Sequence, residues 1–109
     1  MASLAKVTII GYIGSAKAKE ITVKSTGEVK KVINFSVAIN YKKQDTEFVD
    51  WYSCELYANS FDVAWFQRGK QIYVEGILRI ETFVNQENVE MTKPKIYVDK
   101  LLFMGKKED

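Results

Sequence analysis

The sequence predicts an all-β protein: a small closed sheet, in which five strands form a barrel and one short helix caps an end. Period-two alternation of apolar and polar side chains dominates the chain, and the turns between the alternating segments are short. A single helix-like pattern interrupts the strands, between the middle two. The 109 residues fit one domain. A sandwich would need more turns at regular spacing, so the barrel is favoured.

The N-terminal part of the chain is predicted to form strands over residues 4–13 and 29–41, with a further extended segment starting at residue 21. Gly11 and Gly14 permit a bulge or sharp bend, and Gly27 centres a hairpin turn. Residues 29–41 alternate regularly and therefore have one buried face, on which we expect Phe35. A polar loop follows at residues 42–47.

The next predicted strand, residues 48–57, has two unlike faces. One set contains Phe48, Cys54 and Leu56, and we expect it to face the core. The other set places Trp51 and Tyr57 among polar residues. Large aromatic side chains on a solvent-facing strand indicate a binding surface, unless another element or a second subunit covers them.

The helix is predicted over residues 61–68, with Asn59-Ser60 as its N-cap and Gly69 as its stop. We expect one end of the sheet to be covered by the side chains at helical spacing, namely Phe61, Ala64 and Trp65. On this interpretation Trp65 is a core plug and not a ligand contact.

Two more strands are predicted after the helix, at residues 70–83 and 95–103, separated by a polar loop over 84–92. Arg79 and Phe83 fall on the polar side of the first of these strands. The last strand is apolar on both sides, which fits burial on both faces or a contact between subunits.

The composition argues against an enzyme. The chain has no histidine, one cysteine and one proline, so it lacks the commonest general base and has no cysteine pair for a zinc site or a disulfide. We expect no catalytic residues, no metal and no cofactor, and an inert, inward-facing Cys54. We predict no membrane span and no leader peptide, and therefore a cytoplasmic protein.

Aromatic and basic residues point to nucleic acid. Residues 1–43 contain eight lysines and two glutamates, although the net charge is only +2. Such lysines either attract phosphates or solvate strand edges. A basic groove with aromatic rings is the means of holding a single strand. The candidate stacking residues are Trp51, Tyr57, Phe83 and Tyr41, and the nearby candidate phosphate contacts are Lys42, Lys43 and Arg79.

Three segments in order resemble a known family: VINFSVAIN at residues 32–40, DWYSCELY at 50–57 and GKQIYVEGILR at 69–79. They are similar to the Asn-Phe-Ser-Val-Ala, Asp-Trp-aromatic and Val-Tyr-Val-Glu-Gly patterns of bacterial single-stranded DNA-binding proteins. The resemblance extends over residues 4–103.

The resemblance implies an OB-fold over residues 1–105, followed by a short charged end at 106–109. It also implies a homo-oligomer, a tetramer in preference to a dimer, that binds single-stranded DNA without sequence preference in replication, recombination or repair. It assigns stacking to Trp51, Tyr57 and Phe83, with Tyr41 the aromatic nearest a further stacking position. The basic positions it implies are Lys6, Lys42, Lys43 and Arg79.

The C-terminus departs from this family. Members usually continue into a Gly/Gln/Pro-rich linker and an acidic tip that recruits partners, whereas this chain ends at residues 105–109. Recruitment through such a tip is therefore not expected, and the chain is either a truncated core or a naturally short relative. The alternative is a primosomal-type OB-fold accessory protein that mainly docks a protein partner, which the acidic segment 44–67 would suit.

Overall fold

Five strands form one closed barrel in the structure, a computed structural model that describes residues 3–57 and 61–105. The strands are β1 (Lys6–Thr22), β2 (Val29–Lys43), β3 (Thr46–Tyr57), β4 (Gln71–Val84) and β5 (Glu90–Met104). In space they follow the order β1-β2-β3-β5-β4, and β4 closes the barrel by pairing with β1. The β3–β5 pair is parallel and the other pairs are antiparallel. The predicted five-stranded barrel is confirmed, and the predicted end at 106–109 lies outside the described residues.

A bulge lets β1 serve two neighbours. Residues 6–12 pair with β4 and residues 12–22 pair with β2, with a register shift between Ile13 and Ala16. The bend predicted at Gly14 is therefore present, but the strand continues through it. The polar stretch after the bend joins the sheet because backbone hydrogen bonding to β2 does not require apolar side chains.

Two hairpins extend past the packed core. The predicted loop at 42–47 is only a two-residue turn, in which Gln44 and Asp45 have φ of 49° and 64°, as a tight hairpin turn requires. The predicted loop at 84–92 is likewise shortened to the residues between β4 and β5. There Asn85 Oδ1 accepts hydrogen bonds from the backbone N–H groups of Glu87 and Val89 at 2.9 and 3.0 Å.

The barrel interior contains the expected side chains. Cys54 and Leu56 are buried in β3, and Phe35 is buried in β2. Burial raises the pKa of the Cys54 thiol to about 12, so this thiol is unreactive at neutral pH. Phe48 was expected on the same face and is 41% exposed. Its position in the alternation is as predicted, but it lies on the β2–β3 hairpin beyond the end of the core.

The predicted helix at 61–68 is wrong in extent. The structure has a single 3-10 turn at Val63–Trp65, capped by Asp62 Oδ1, which accepts from Ala64 N at 2.9 Å. The predicted Asn59-Ser60 cap lies outside the described residues. Within the described residues, no helix is long and apolar enough to cross a bilayer.

The residue that plugs the barrel is Phe66 and not Trp65. Phe66 is 5% exposed, and its ring centroid lies 4.9 Å from that of Phe35 and 5.0 Å from that of Phe103. Trp65 is 48% exposed and makes an edge-to-face contact with Phe61. The chain leaves the helical conformation at Phe66, and this turns the Phe66 ring into the core where a longer helix would have presented Trp65.

Candidate nucleic-acid interface

Two large aromatic side chains stand on the outer face of β3, as the alternation predicted. Trp51 is 58% exposed and Tyr57 is 55% exposed, whereas Cys54 between them faces the interior. They are six residues apart, which corresponds to about 20 Å along a strand. The two rings are therefore separate contact points.

The ring of Trp51 lies across β1 at Gly14. A Cβ atom built on Gly14 would overlap the Trp51 ring, so only glycine leaves room for the ring to lie in this way. Beside it, the Ser36 hydroxyl accepts a hydrogen bond from Ser15 N at 3.0 Å. The result is a broad aromatic face close to the backbone of the sheet.

Arg68 lines the same groove as Trp51, Gly14, Ser15 and Ser36. Sequence analysis missed this residue as a candidate contact and placed it only at the end of the predicted helix. Its spacing from Trp51 carries no periodic signal, because β3 ends at Tyr57 and a 3-10 turn at Val63–Trp65 precedes Arg68. Tertiary folding places the exposed Arg68 side chain in the groove that the Trp51 ring lines.

Tyr41 lies on the opposite face of the β2–β3 hairpin from Trp51. In the register Tyr41 is opposite Phe48, and their rings stack with centroids 5.3 Å apart and an angle of 19°. Both residues line a groove at the hairpin. The structure therefore does not bring Tyr41 together with Trp51 and pairs it instead with an aromatic residue that sequence analysis had assigned to the core.

Lys42 and Lys43 lie at the tip of the same hairpin. Lys42 is opposite Glu47 and Lys43 is opposite Thr46. Alternation places Lys42 on the Trp51 side and Lys43 on the Tyr41 side. One predicted phosphate contact is thus available to each face.

The outer face of β4 carries the remaining candidates. Arg79 is exposed, and Phe83, four residues further along, is 42% exposed. The Nζ atom of Lys93 lies 6.0 Å from the centroid of the Phe83 ring. Since residues four apart in a strand share a face, Arg79 and Phe83 point to the same side.

An ion network crosses this face between β3, β5 and β4. Lys95 Nζ lies 2.9 Å from Glu55 Oε1 and 3.4 Å from Glu81 Oε1. Tyr97 donates its hydroxyl proton to Glu81 Oε1 at 2.8 Å. The Tyr97 hydrogen bond, together with the charge of Lys95, lowers the pKa of Glu81. A hydrogen bond with Glu55 raises the pKa of Tyr57.

Lys6 is already paired. Its Nζ atom lies 2.8 Å from Glu75 Oε1, and Tyr73 donates its hydroxyl proton to the other oxygen, Glu75 Oε2, at 2.8 Å. The hydrogen bond and the charge of Glu75 raise the pKa of Lys6. The positive charge of Lys6, one of the predicted phosphate contacts, is thus already paired with the carboxylate of Glu75.

Metal-binding chemistry has no counterpart on this surface. In the part of the chain that the structure describes, no group of three or more histidine, cysteine, aspartate or glutamate side chains could hold a metal ion. The interface instead offers aromatic rings, hydroxyl groups and cationic side chains.

A closed five-stranded barrel with aromatic rings exposed on the outer faces of its strands is the architecture of the OB-fold class. A sequence model of the single-strand binding protein family matches residues 4–104. The chain belongs to this family, which confirms the resemblance drawn from its three segments. Proteins of this family are non-enzymatic, in agreement with the prediction from composition.

Relatives and solved structures agree with this assignment. The chain is 32% identical to the single-stranded DNA-binding protein of Onion yellows phytoplasma (strain OY-M), over 95% of this chain and 97% of that protein. It is 26% identical to single-stranded DNA-binding protein 1 of Xylella fastidiosa (strain 9a5c), over 100% of this chain and 83% of that protein. The Plasmodium falciparum SSB complex with ssDNA superposes with a TM-score of 0.72 at 22% identity, covering 96% and 98%. The mitochondrial single-stranded DNA binding protein from S. cerevisiae superposes with a TM-score of 0.65 at 18% sequence identity, over 94% of this chain and 97% of that protein. The fold is therefore the predicted OB-fold.

Proposed function

We propose that this protein binds single-stranded DNA, with bases stacking on its exposed aromatic rings and phosphates contacting its free cationic side chains. The observation that carries the proposal is Trp51, whose ring is 58% exposed and lies over Gly14 beside Arg68. An aromatic face next to a guanidinium group offers both parts of a single-strand contact. The names of the relatives point to the same ligand.

We assign the contacts as follows. Trp51, Tyr57 and Phe83 each present a ring on an outer strand face, and we propose them as stacking residues. The Tyr41–Phe48 pair would add a separate stacking point at the β2–β3 hairpin. Because stacking is tolerant of base identity, this set supports binding with little overall sequence preference. The proposed phosphate contacts are Arg79, Lys42, Lys43 and Arg68, with Lys6 contributing only if it leaves Glu75.

The two tryptophans permit a direct test. In a Trp65→Phe variant all tryptophan emission comes from Trp51, and we expect titration with oligo-thymidine to quench it. In the matched Trp51→Phe variant only Trp65 emits, and little quenching is expected, because Trp65 lies on the 3-10 turn. The quenching should weaken as salt rises, since phosphate contacts release counterions. Absence of both quenching and salt dependence at low ionic strength would overturn the proposal.

We further propose that the protein is a homo-oligomer, a tetramer in preference to a dimer. An apolar patch crosses β1, β4 and β5 on their outer side, where Ile10 is opposite Tyr73 and Tyr73 is opposite Leu102. Ile10 and Leu102 are 46% and 53% exposed. A second copy of the chain would cover this surface, which is where the last strand was expected to make a subunit contact.

Light scattering tests the assembly. The wild-type protein should have a mass that is a multiple of 12.5 kDa, and Ile10→Lys or Leu102→Lys should reduce it. Ile80→Lys is the matched control, because Ile80 is also exposed (63%) but lies on the β4–β5 hairpin. A monomeric wild-type protein would contradict the proposal.

Action in replication, recombination or repair, and a cytoplasmic location, stay predictions.

A further inference from the structure

Glu81 stands where a base would reach it. It occupies the outer face of β4 between Arg79 and Phe83, two residues from each, which corresponds to about 7 Å along the strand in either direction. If Phe83 stacks a base and Arg79 contacts a phosphate, as proposed above, the edge of that base comes beside the Glu81 carboxylate. A carboxylate does not attract phosphate, so any contact between Glu81 and a nucleic acid would be with a base.

The carboxylate is held in position by two neighbours on β5. The Tyr97 hydroxyl donates to Glu81 Oε1 at 2.8 Å, and Lys95 Nζ lies 3.4 Å from the same oxygen. Lys95 is in turn fixed by Glu55 at 2.9 Å. The hydrogen bond from Tyr97 and the ion pair with Lys95 both involve the same carboxylate oxygen, Glu81 Oε1.

An ionised carboxylate oxygen accepts hydrogen bonds and donates none. It therefore favours a base edge that carries donor protons, such as the exocyclic amino group of cytosine, over one that presents a carbonyl oxygen at the same position. The lowered pKa of Glu81 keeps the group ionised at neutral pH. The Glu81 side chain is 32% exposed, so an incoming base can reach it.

We propose that Glu81 is a specificity-determining residue, which accepts a hydrogen bond from the amino group of a base stacked on Phe83. Tyr97 and Lys95 act as positioning residues for its carboxylate. This inference rests on the proposed single-stranded DNA binding and adds to it one subsite that favours amino-bearing bases. The groove lined by Trp51, Gly14, Ser15, Ser36 and Arg68, which we call the Trp51 platform, has no carboxylate among its described residues, and we expect no such preference there.

Deoxycytidine and deoxyuridine oligonucleotides of equal length test the proposal, because cytosine has an amino donor at position 4 and an acceptor at N3, whereas uracil has a carbonyl at position 4 and a donor at N3. Oligomers of about ten nucleotides match the site size of one OB-fold. At pH 8 we expect the wild-type protein to bind oligo-dC about tenfold more tightly than oligo-dU, the scale of one hydrogen bond to a charged group. Oligo-N4,N4-dimethyl-dC, which lacks the donor protons, should bind like oligo-dU.

Glu81→Gln should bring the dC-to-dU affinity ratio to within about twofold of unity, since an amide can donate as well as accept. Glu75→Gln is the matched control: Glu75 also joins a lysine and a tyrosine, at 2.8 Å each, but it neighbours Lys6 and not Phe83. This variant changes the affinity for both oligomers equally and keeps their ratio. Thermal melting of both variants verifies that they fold.

The outcomes separate cleanly. Loss of the ratio in Glu81→Gln alone supports the inference. Equal binding of the two oligomers by the wild-type protein, or a ratio that survives in Glu81→Gln, overturns it while single-stranded DNA binding stands. An equal fall in both affinities would show a purely structural role for Glu81 and overturns it as well. Failure to bind either oligomer refutes the proposed function itself.

Discussion

We propose base stacking both at Trp51 on β3 and at Phe83 on the β4–β5 hairpin, and the two rings have unlike settings. The Trp51 ring lies over Gly14, and hydroxyl groups and Arg68 line the same groove. Phe83 stands on a hairpin whose other side is also exposed, with Ile80 at 63% and Val84 at 62%, and a carboxylate is two residues away. We therefore expect the residues that support each ring, and the charge beside it, to influence how strongly each ring contributes to binding.

Replacing the two rings should give the largest effect. Trp51→Ala is expected to lower the affinity for oligo-thymidine by about 10- to 100-fold, since one stacked base contributes about 1–3 kcal/mol. The loss of affinity in Phe83→Ala should be at or below the lower end of that range, because the phenylalanine ring is smaller and lies on a hairpin beyond the barrel core. Fluorescence anisotropy with a labelled oligonucleotide measures both. A greater loss for Phe83→Ala would reverse the comparison.

The second largest effect is expected for the cationic residues, whose replacement should change the salt dependence of DNA binding. Arg68→Ala and Arg79→Ala should each reduce the slope of log affinity against log salt by about 0.7, the value for one phosphate contact on a single strand. Lys6→Ala should change the slope much less, because Lys6 is held by Glu75 at 2.8 Å. Titrations at four salt concentrations provide the slopes. Equal slopes for Arg68→Ala and wild type would show that Arg68 makes no phosphate contact beside Trp51.

The smallest expected effect concerns acid stability. The folded-state pKa of Glu81 is lowered, first by the Tyr97 hydrogen bond. Its contribution to stability is therefore fully present above the unfolded-state value of about 4.5 and is lost as the pH falls through the folded-state value. Glu81→Gln should lower the Tm by a few degrees at most at pH 7, because the partly exposed pair is screened by solvent.

The pH dependence supplies the control for that measurement. The Tm difference between wild type and Glu81→Gln should shrink as the pH falls below about 4.5, whereas any difference between wild type and Trp51→Phe should stay the same over that range. The Trp51→Phe difference should not depend on pH in this range because none of the described residues that line the Trp51 groove is a carboxylate. A Glu81→Gln difference that persists at acid pH would mean that packing, and not charge, stabilises the network.

Much of the fold could be predicted because it depends on local rules. Alternation assigned Cys54 to the core and Trp51 to the surface, and both assignments are confirmed. Local rules failed near the start of β3 and in the connection between β3 and β4. The pattern at 61–68 suited a helix, but the chain forms one 3-10 turn and inserts Phe66. Phe48 has the alternation of a core residue but lies beyond the core, since alternation does not tell where a barrel ends.

The sequence by itself determined the class of this protein: a single β domain without histidine, with rings on polar strand faces and three segments in the order of its family. The period of two follows from the covalent geometry of an extended chain. Only the tertiary structure decided the neighbours of each ring. Arg68 reaches Trp51, Tyr41 meets Phe48, and Lys95 joins Glu55 to Glu81 because of strand register and barrel closure. The contacts of Arg68 and Lys95 join segments far apart in the chain, which no local spacing encodes, and the Tyr41–Phe48 contact depends on the two-residue turn that sets the register of the β2–β3 hairpin.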